Sequence, residues 1–264
     1  MPINAHPGFD IALIGMGTQF VDHMTLEAVE ALAACATGFV VSFDQEAVEE
    51  FRSNLLARIG NLHSLPPLHS LADAYRKDRI RLENYIEAAR KVLDSVSNHR
   101  PVAFLTPGHP MVLDSVSQAI LDGAREKNYS VRILNAVSSI DSVLAALQME
   151  LAPGIQVLEA TCALWLNATL DPRVSCLLFQ TSVLGSLYPT TDPDHLKQAW
   201  LHLRSYLAGF FPLDHTIFAV RTQDSSSRSA TIYSCTIASL GENPENIPLG
   251  SSLYIPAIPP AQNA

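Results

Sequence analysis

Through the first 150 residues, short apolar runs alternate with stretches of helical period. IALIG (11–15) is an unbroken apolar run, the signature of a strand buried on both faces. Thr25 is placed to cap a helix with Leu26, Val29 and Leu32 on one face. GFVVSF (38–43) reads as a second strand, and Val48, Phe51, Leu55 and Ile59 mark a second helix. A longer helix is predicted over 79–96, with Leu82, Ile86, Ala89, Leu93 and Val96 as its apolar stripe. Strand VAFLT (102–106), a helix over 111–127, strand SVRIL (130–134) and a helix over 139–149 follow. This order predicts an α/β fold with a mostly parallel sheet covered on both faces.

Beyond a hinge at 151–154 the pattern changes. IQVLEA (155–160), CLLFQ (176–180), TIFAVR (216–221) and ATIYSCTIA (230–238) are strand-like, with one clear helix from Asp192-Pro193 to about Ala208. The expectation is an N-terminal α/β domain over 1–150 and an α+β domain over 151–264. SSSRS (225–229) is expected as a hairpin loop, and the Pro-rich tail after Tyr254 as an extended arm.

Composition narrows the function. The chain carries 26 acidic against 17 basic residues, a net charge of −9, so no basic stripe is available to grip nucleic acid by its phosphates. No run approaches the roughly 20 apolar residues that span a bilayer. MPINAHPGFD lacks the basic and apolar regions of a secretory signal. Cys35, Cys162, Cys176 and Cys235 are scattered, without a Cys-x-x-Cys pair, and the histidines show no metal-ligand spacing. A cytoplasmic protein with buried thiols, no metal, no membrane contact and no nucleic-acid partner is expected.

Four segments could carry chemistry. Gly15-x-Gly17 follows the first strand, where glycines admit either a ligand or simply a tight turn; the third glycine of a dinucleotide fingerprint is absent, position 20 being Phe. Pro107-Gly108-His109-Pro110 turns sharply at another strand exit, and His109 there is a ligand contact or an ordinary loop histidine. In NAVSS (135–139), Ser138 or Ser139 would cap the next helix, whose unpaired N–H groups also suit a carboxylate. In AYRKDRIRLENY (74–85), Arg81 and Tyr85 share a helical face and Tyr75 lies six residues before Arg81. Spacing by itself favours a solvated basic face of Arg76, Lys77, Arg79 and Arg81. Alternatively, a guanidinium beside two phenols forms an anion hole that favours a phenolate.

Together these segments resemble the tetrapyrrole methylase superfamily, S-adenosyl-L-methionine-dependent methyltransferases, over nearly the whole chain. IGMGTQFVDHMTLEAVEAL looks like the superfamily's glycine loop, PGHP (107–110) its second loop, and NAVSS stands where Pro-Gly-Val-Ser is usual. The likeness is closest to borosin-type peptide α-N-methyltransferases. Tyr75-x5-Arg81-x3-Tyr85 matches their active-site spacing, and GHP replaces the GDP of porphyrin-modifying relatives. Glu159-Ala160 and the Gln of LLFQ (177–180) match further features in order, and PLDHTIFAV (212–220) and SSLYIPAIPP (251–260) resemble the closing strands of that group. The departures are Pro107 and Met111 for the usual Tyr and Gly around GHP, and Asn135-Ala136 for Pro-Gly.

The resemblance implies S-adenosyl-L-methionine between two domains of a homodimer, with S-adenosyl-L-homocysteine as product. It places Tyr75, Arg81 and Tyr85 at the reaction centre. Gly15, Gly17, Pro107, Gly108, His109, Met111, Val112, Ser138, Ser139 and Gln180 would contact the cofactor. The activity implied is N-methylation of backbone amides, with Tyr85 or Tyr75 as base beside Arg81. Founding members carry their substrate as a C-terminal extension, so a chain of 264 residues is expected to use a separate precursor peptide. The alternatives are a methylase of tetrapyrroles or other small molecules, and a catalytically silent SAM- or peptide-binding subunit.

Overall fold

A computed structural model describes residues 8–41, 44–60, 64–189, 192–223, 229–242 and 244–259. The chain divides into two compact units, Met1–Asp141 and Ser142–Ala264.

The first unit holds strands β1 (Ile11–Gly15), β2 (Thr37–Val40), β3 (Leu68–Ser70), β4 (Val102–Thr106) and β5 (Val131–Leu134). They form an all-parallel sheet in the order β3-β2-β4-β1-β5. Helices α1 (Leu26–Ala33), α2 (Gln45–Ile59), α3 (Arg81–Ser95) and α4 (Ser115–Glu126) cover it, and α5 (Ser139–Leu147) follows β5. Successive side chains of a strand point to opposite faces, so buried β1 feeds two cores. Ala12 and Ile14 join Val29 and Leu32 of α1 and Val48, Phe51 and Leu55 of α2. Ile11 and Leu13 join Phe104 of β4, Ala88 and Val92 of α3, and Val116 and Ile120 of α4. Each large apolar side chain buried in this way contributes about 1.5–3 kcal/mol.

Local signals set several helix ends. The hydroxyl of Thr25 accepts from the Ala28 amide and opens α1 as expected. Asp44 caps α2 by accepting from the Ala47 amide. α4 begins at Ser115 rather than at 111, because Asp114 caps it by accepting from the amides of Val116 and Ser117.

Most of the two predicted stripes is buried, Val29 and Leu32 on α1 and Ala89, Leu93 and Val96 on or just after α3, but the N-terminal positions are not. Leu26, assigned to the inner face of α1, is 82% exposed. On α3, Leu82 and Ile86 are 59% and 53% exposed, and the inner face is Asn84, Ala88, Ala89, Val92 and Leu93. The alanines of α3 permit close packing, and Gly123 of α4 admits Leu93, whose Cδ1 lies 2.4 Å from where a Cβ would stand. Strand β3, three residues at the sheet edge, has no sequence signal.

The second unit contains β6 (Ile155–Glu159), α6 (Ala160–Trp165), β7 (Ser175–Phe179), α7 (Pro193–Leu207), β8 (Thr216–Arg221), β9 (Thr231–Thr236) and β10 (Ser252–Ile255). Its mixed sheet runs β6-β7-β10-β8-β9, with β6 and β7 parallel and the other pairs antiparallel. Trp200, Leu203 and Leu207 of α7 pack on Leu178, Ile217, Ala219 and Leu253 of the sheet. Asp192 caps α7 with Pro193 in its first turn, as the sequence predicts.

The SSLYIPAIPP segment supplies the strand that the resemblance implies: β10 sits in mid-sheet between β7 and β8. Beyond it, the Ile258 amide donates to the Pro172 carbonyl at 2.7 Å. Within the predicted hairpin loop at 225–229, residues 225–228 lie outside the described residues, as do positions 42–43 of the predicted second strand. Cys35 and Cys176 are buried, and burial pushes their thiols up to about 12. Cys162 corrects the expectation of buried thiols: it is exposed on α6. Among the described residues, no helix is long and apolar enough to cross a membrane.

Candidate functional site

Strands β4, β1 and β5 are neighbours, and their carboxyl ends are level: Gly15 stands opposite Thr106, and Ile14 opposite Leu134. The loops leaving them, predicted separately as candidate segments, therefore meet at the edge where parallel sheets bind ligands. A Cβ on Gly15 would lie 2.5 Å from the Ala136 Cβ, 2.6 Å from the Gly108 carbonyl oxygen and 2.9 Å from the Pro110 Cδ. Gly17 and Gly108 exchange two backbone hydrogen bonds, Gly17 N–H to Gly108 O at 3.1 Å and Gly108 N–H to Gly17 O at 2.9 Å. Both glycines have positive φ, +70° and +73°. No atom lies within 4 Å of a Cβ position on Gly108, so its backbone is open to close approach by a ligand.

His109 ties two of these loops together. Its Nδ1 accepts from the Met111 amide at 3.0 Å, and its Nε2 lies 3.3 Å from the Asn135 Oδ1. An Nδ1 that accepts leaves the proton on Nε2, which then donates to Asn135. The Val112 amide closes the turn on the His109 carbonyl at 3.0 Å. Pro107 and Met111 are exposed on this loop. Leu113, which ends it, has a φ of +58°, a strained value for a branched residue.

In the third loop Ser138 precedes α5, and Ser139 is the first helical residue. The Asp141 carboxylate accepts from the Ser138 hydroxyl at 2.6 Å and its amide at 2.7 Å. These bonds, the hydroxyl first, with His109 nearby, hold the Asp141 carboxyl below the usual carboxylate range. Single replacements His109→Ala and Asn135→Ala are expected to weaken S-adenosylhomocysteine binding non-additively, with coupling of about 0.5–1.5 kcal/mol. Calorimetric titration of both singles and the double tests this; additive losses would show that the bond does not organise the loops.

The Tyr-Arg-Tyr segment lies in the same unit. Tyr75 follows a one-turn 3-10 helix, Ala72–Ala74, and Arg81 opens α3. Arg81 Nε donates to the Tyr85 hydroxyl oxygen at 3.1 Å. The rings of Tyr75 and Tyr85 meet edge-on, centroids 6.1 Å apart at 63°. Arg76 and Lys77 are exposed, as a solvated face requires, whereas Tyr75, Arg81 and Tyr85 are half-buried. Burial, the Asp114 carboxylate and Tyr85 push the Tyr75 phenol well above its ordinary value of 10.0. Asn84, fully buried, bonds through both ends of its amide to the Arg76 backbone. Spacing arguments missed Asn84, Asp114 and Asn135. A polar residue at a core position of α3 was the available signal for Asn84.

In the second unit, Gln180 follows β7 in the left-handed region, φ +58° and ψ +35°, a further strained non-glycine position.

A family model described as Tetrapyrrole (Corrin/Porphyrin) Methylases matches residues 10–177. The chain belongs to the tetrapyrrole methylase family. This is a methyltransferase family, and S-adenosylmethionine is the methyl donor that membership brings. The chain is 28% identical over 176 residues to a methyltransferase/ribosomally synthesized type II borosin cyclic peptide precursor of Phlebiopsis gigantea, covering 66% of this chain and 30% of that protein. A type I counterpart from Serendipita vermifera is 30% identical over 190 residues, 70% of this chain and 44% of the other. The chain thus spans less than half the length of these two curated relatives. Uroporphyrin-III C-methyltransferase from Thermus thermophilus, complexed with S-adenyl homocysteine, shares the fold with a TM-score of 0.59 at 16% identity, over 93% of this chain and 96% of that one. In this tetrapyrrole methylase, the positions that depart from the usual Pro-Gly do specific work: Asn135 meets His109, and Ala136 packs on Gly15.

Proposed function

We propose that this methylase transfers the methyl group of S-adenosylmethionine to backbone amide nitrogens of a precursor peptide. The observation that carries the reading is the Arg81–Tyr85 hydrogen bond with the Tyr75 ring edge-on beside it. The names of the relatives join methyltransferase and cyclic peptide precursor in one protein, which supports a peptide substrate. The loops suit the donor, because Gly108 leaves its backbone open to close approach, and Gly15 and Gly17 lack the Cβ that would collide with Ala136 and His23. Pro107, His109, Met111, Val112, Ser138 and Ser139 complete the proposed contact set of the first unit, and Gln180 is the candidate from the second. The reading includes a cytoplasmic homodimer, which light scattering on the purified protein would test.

An amide nitrogen is a weak nucleophile because its lone pair is delocalised into the carbonyl. Bound S-adenosylmethionine supplies a methyl group activated on sulfonium sulfur. The protein's part is to take the N–H proton and to stabilise negative charge as it moves onto the carbonyl oxygen. Tyr85, whose oxygen accepts from Arg81 Nε, is the base and in its deprotonated form receives the proton on that oxygen. Tyr75, whose phenol is held protonated by burial and by Asp114, donates a hydrogen bond to the carbonyl oxygen. The N–CH3 bond forms as the S–CH3 bond breaks, leaving S-adenosylhomocysteine.

Incubation with S-adenosylmethionine and candidate precursor peptides, followed by mass spectrometry, should show products heavier by whole methylene masses, located on backbone nitrogen by fragmentation. The description of the family model favours a second reading, methylation of a tetrapyrrole. Methylation of uroporphyrinogen with no product from any peptide would establish that reading instead. The peptide rate is expected to fall further in Tyr85→Phe than in Tyr75→Phe; the reverse would exchange the roles of the two phenols.

A further inference from the structure

The inner face of α3 is made of Ala88, Ala89, Val92, Leu93 and one polar residue, Asn84. Asn84 is completely buried, and burying an amide among apolar groups is unfavourable unless its hydrogen bonds are made. They are made to a single residue. The Arg76 amide donates to Asn84 Oδ1 at 3.2 Å, and Asn84 Nδ2 donates to the Arg76 carbonyl at 2.9 Å. This two-point clasp resembles the pairing of one strand with another and fixes direction as well as distance.

The position of the clasp gives it consequence. Arg76 directly follows Tyr75, and Asn84 directly precedes Tyr85, so one side chain joins the two stretches of backbone that carry the facing rings. Among the described residues, the Lys91–Asp73 ion pair also joins α3 to the segment before Tyr75, and the turn's remaining ties are local. The Tyr75 amide reaches the Ala72 carbonyl at 3.1 Å, the Arg79 amide reaches the Arg76 carbonyl at 3.5 Å, and the Arg76–Asp78 ion pair lies at the surface. A merely well-packed helix would place alanine or valine at position 84, as it does at 88 and 92.

We propose that Asn84 is a positioning residue, which sets the separation of the Tyr75 and Tyr85 phenols and so the span over which one amide N–H and its carbonyl oxygen are engaged together. Its effect on turnover rests on the peptide reading above; its effect on the rings does not.

The test uses Asn84→Ala, with Asn84→Ser carrying the same measurements should the alanine variant fail to fold. Protein labelled with 3-fluorotyrosine reports the rings by fluorine NMR, the Tyr75 signal being assigned by its loss in Tyr75→Phe. In the folded variant, S-adenosylhomocysteine affinity is expected to persist, while the Tyr75 signal moves or broadens and ceases to respond to Tyr85→Phe. With a methylated peptide in hand, kcat should fall about tenfold to a hundredfold with little change in KM. In a Tyr75→Phe background the same replacement should add almost nothing. An unchanged Tyr75 signal in a folded variant would overturn the proposal, and so would an equal loss of kcat with and without Tyr75. If the wild type methylates no peptide, the peptide reading falls, and the fluorine spectra still decide the role of Asn84.

Discussion

Tyr85→Phe is expected to slow peptide methylation about 10²- to 10⁴-fold, the usual contribution of a positioned general base. The replacement removes one oxygen and leaves the ring, so the edge-on contact with Tyr75 can persist. What is lost is the acceptor of the Arg81 Nε donor and, with it, the atom proposed to take the amide proton. S-adenosylhomocysteine affinity should change little, because the glycine loops are untouched. Single-turnover rates with saturating donor, alongside calorimetric binding, separate the two effects. Tyr75→Phe should cost less, because it removes a hydrogen-bond donor to a developing charge rather than the base. A Tyr85→Phe enzyme as fast as wild type, with its donor bound, would remove Tyr85 from the chemistry.

Gly17→Ala should be the most damaging change in the cofactor loops. Its φ of +70° costs a non-glycine residue about 1–2 kcal/mol. The new Cβ would also stand 2.1 Å from the Cβ of His23, a separation that neither group can accept, adding about 1–3 kcal/mol of overpacking. His23 cannot simply swing away, since its Nδ1 accepts from the Gln19 amide at 3.3 Å. The turn must therefore move, and with it the paired backbone bonds to Gly108. The expectation is a lower Tm together with loss of S-adenosylhomocysteine binding. Gly60→Ala is the control: its φ is +62°, but no atom lies within 4 Å of the added carbon, and it ends α2. It should lose stability alone and bind the ligand normally. Normal binding by Gly17→Ala would mean that this turn does not hold the donor.

Much of the architecture was legible in the chain itself. Buried parallel strands are continuous apolar runs, and amphipathic helices repeat at 3.6 residues, so the alternation in the first unit follows from local pattern. Thr25 and Asp192-Pro193 mark helix starts because a cap acts on amides two or three residues away. The candidate segments were legible too, as loops rich in glycine and proline and as a Tyr-Arg-Tyr spacing.

The relations among those segments were not. Gly15, Gly108 and Ala136 meet only because β1 lies between β4 and β5, an order set by pairing between strands far apart in the chain. The buried side of the first turns of α3 was equally hidden: Leu82 and Ile86 are more apolar than Asn84, yet contact with α4 and with the Arg76 turn decides which side is buried there. The resemblance marked 251–260 as a closing strand, but its place in mid-sheet depends on pairing with β7 and β8, which no local pattern shows. The two tyrosines, chemically identical in sequence, differ only in surroundings, Tyr75 in apolar packing near the Asp114 carboxylate and Tyr85 against a guanidinium. Local pattern determined the elements and the residues available for chemistry. Long-range pairing and side-chain burial decided which of those residues meet, and in what surroundings.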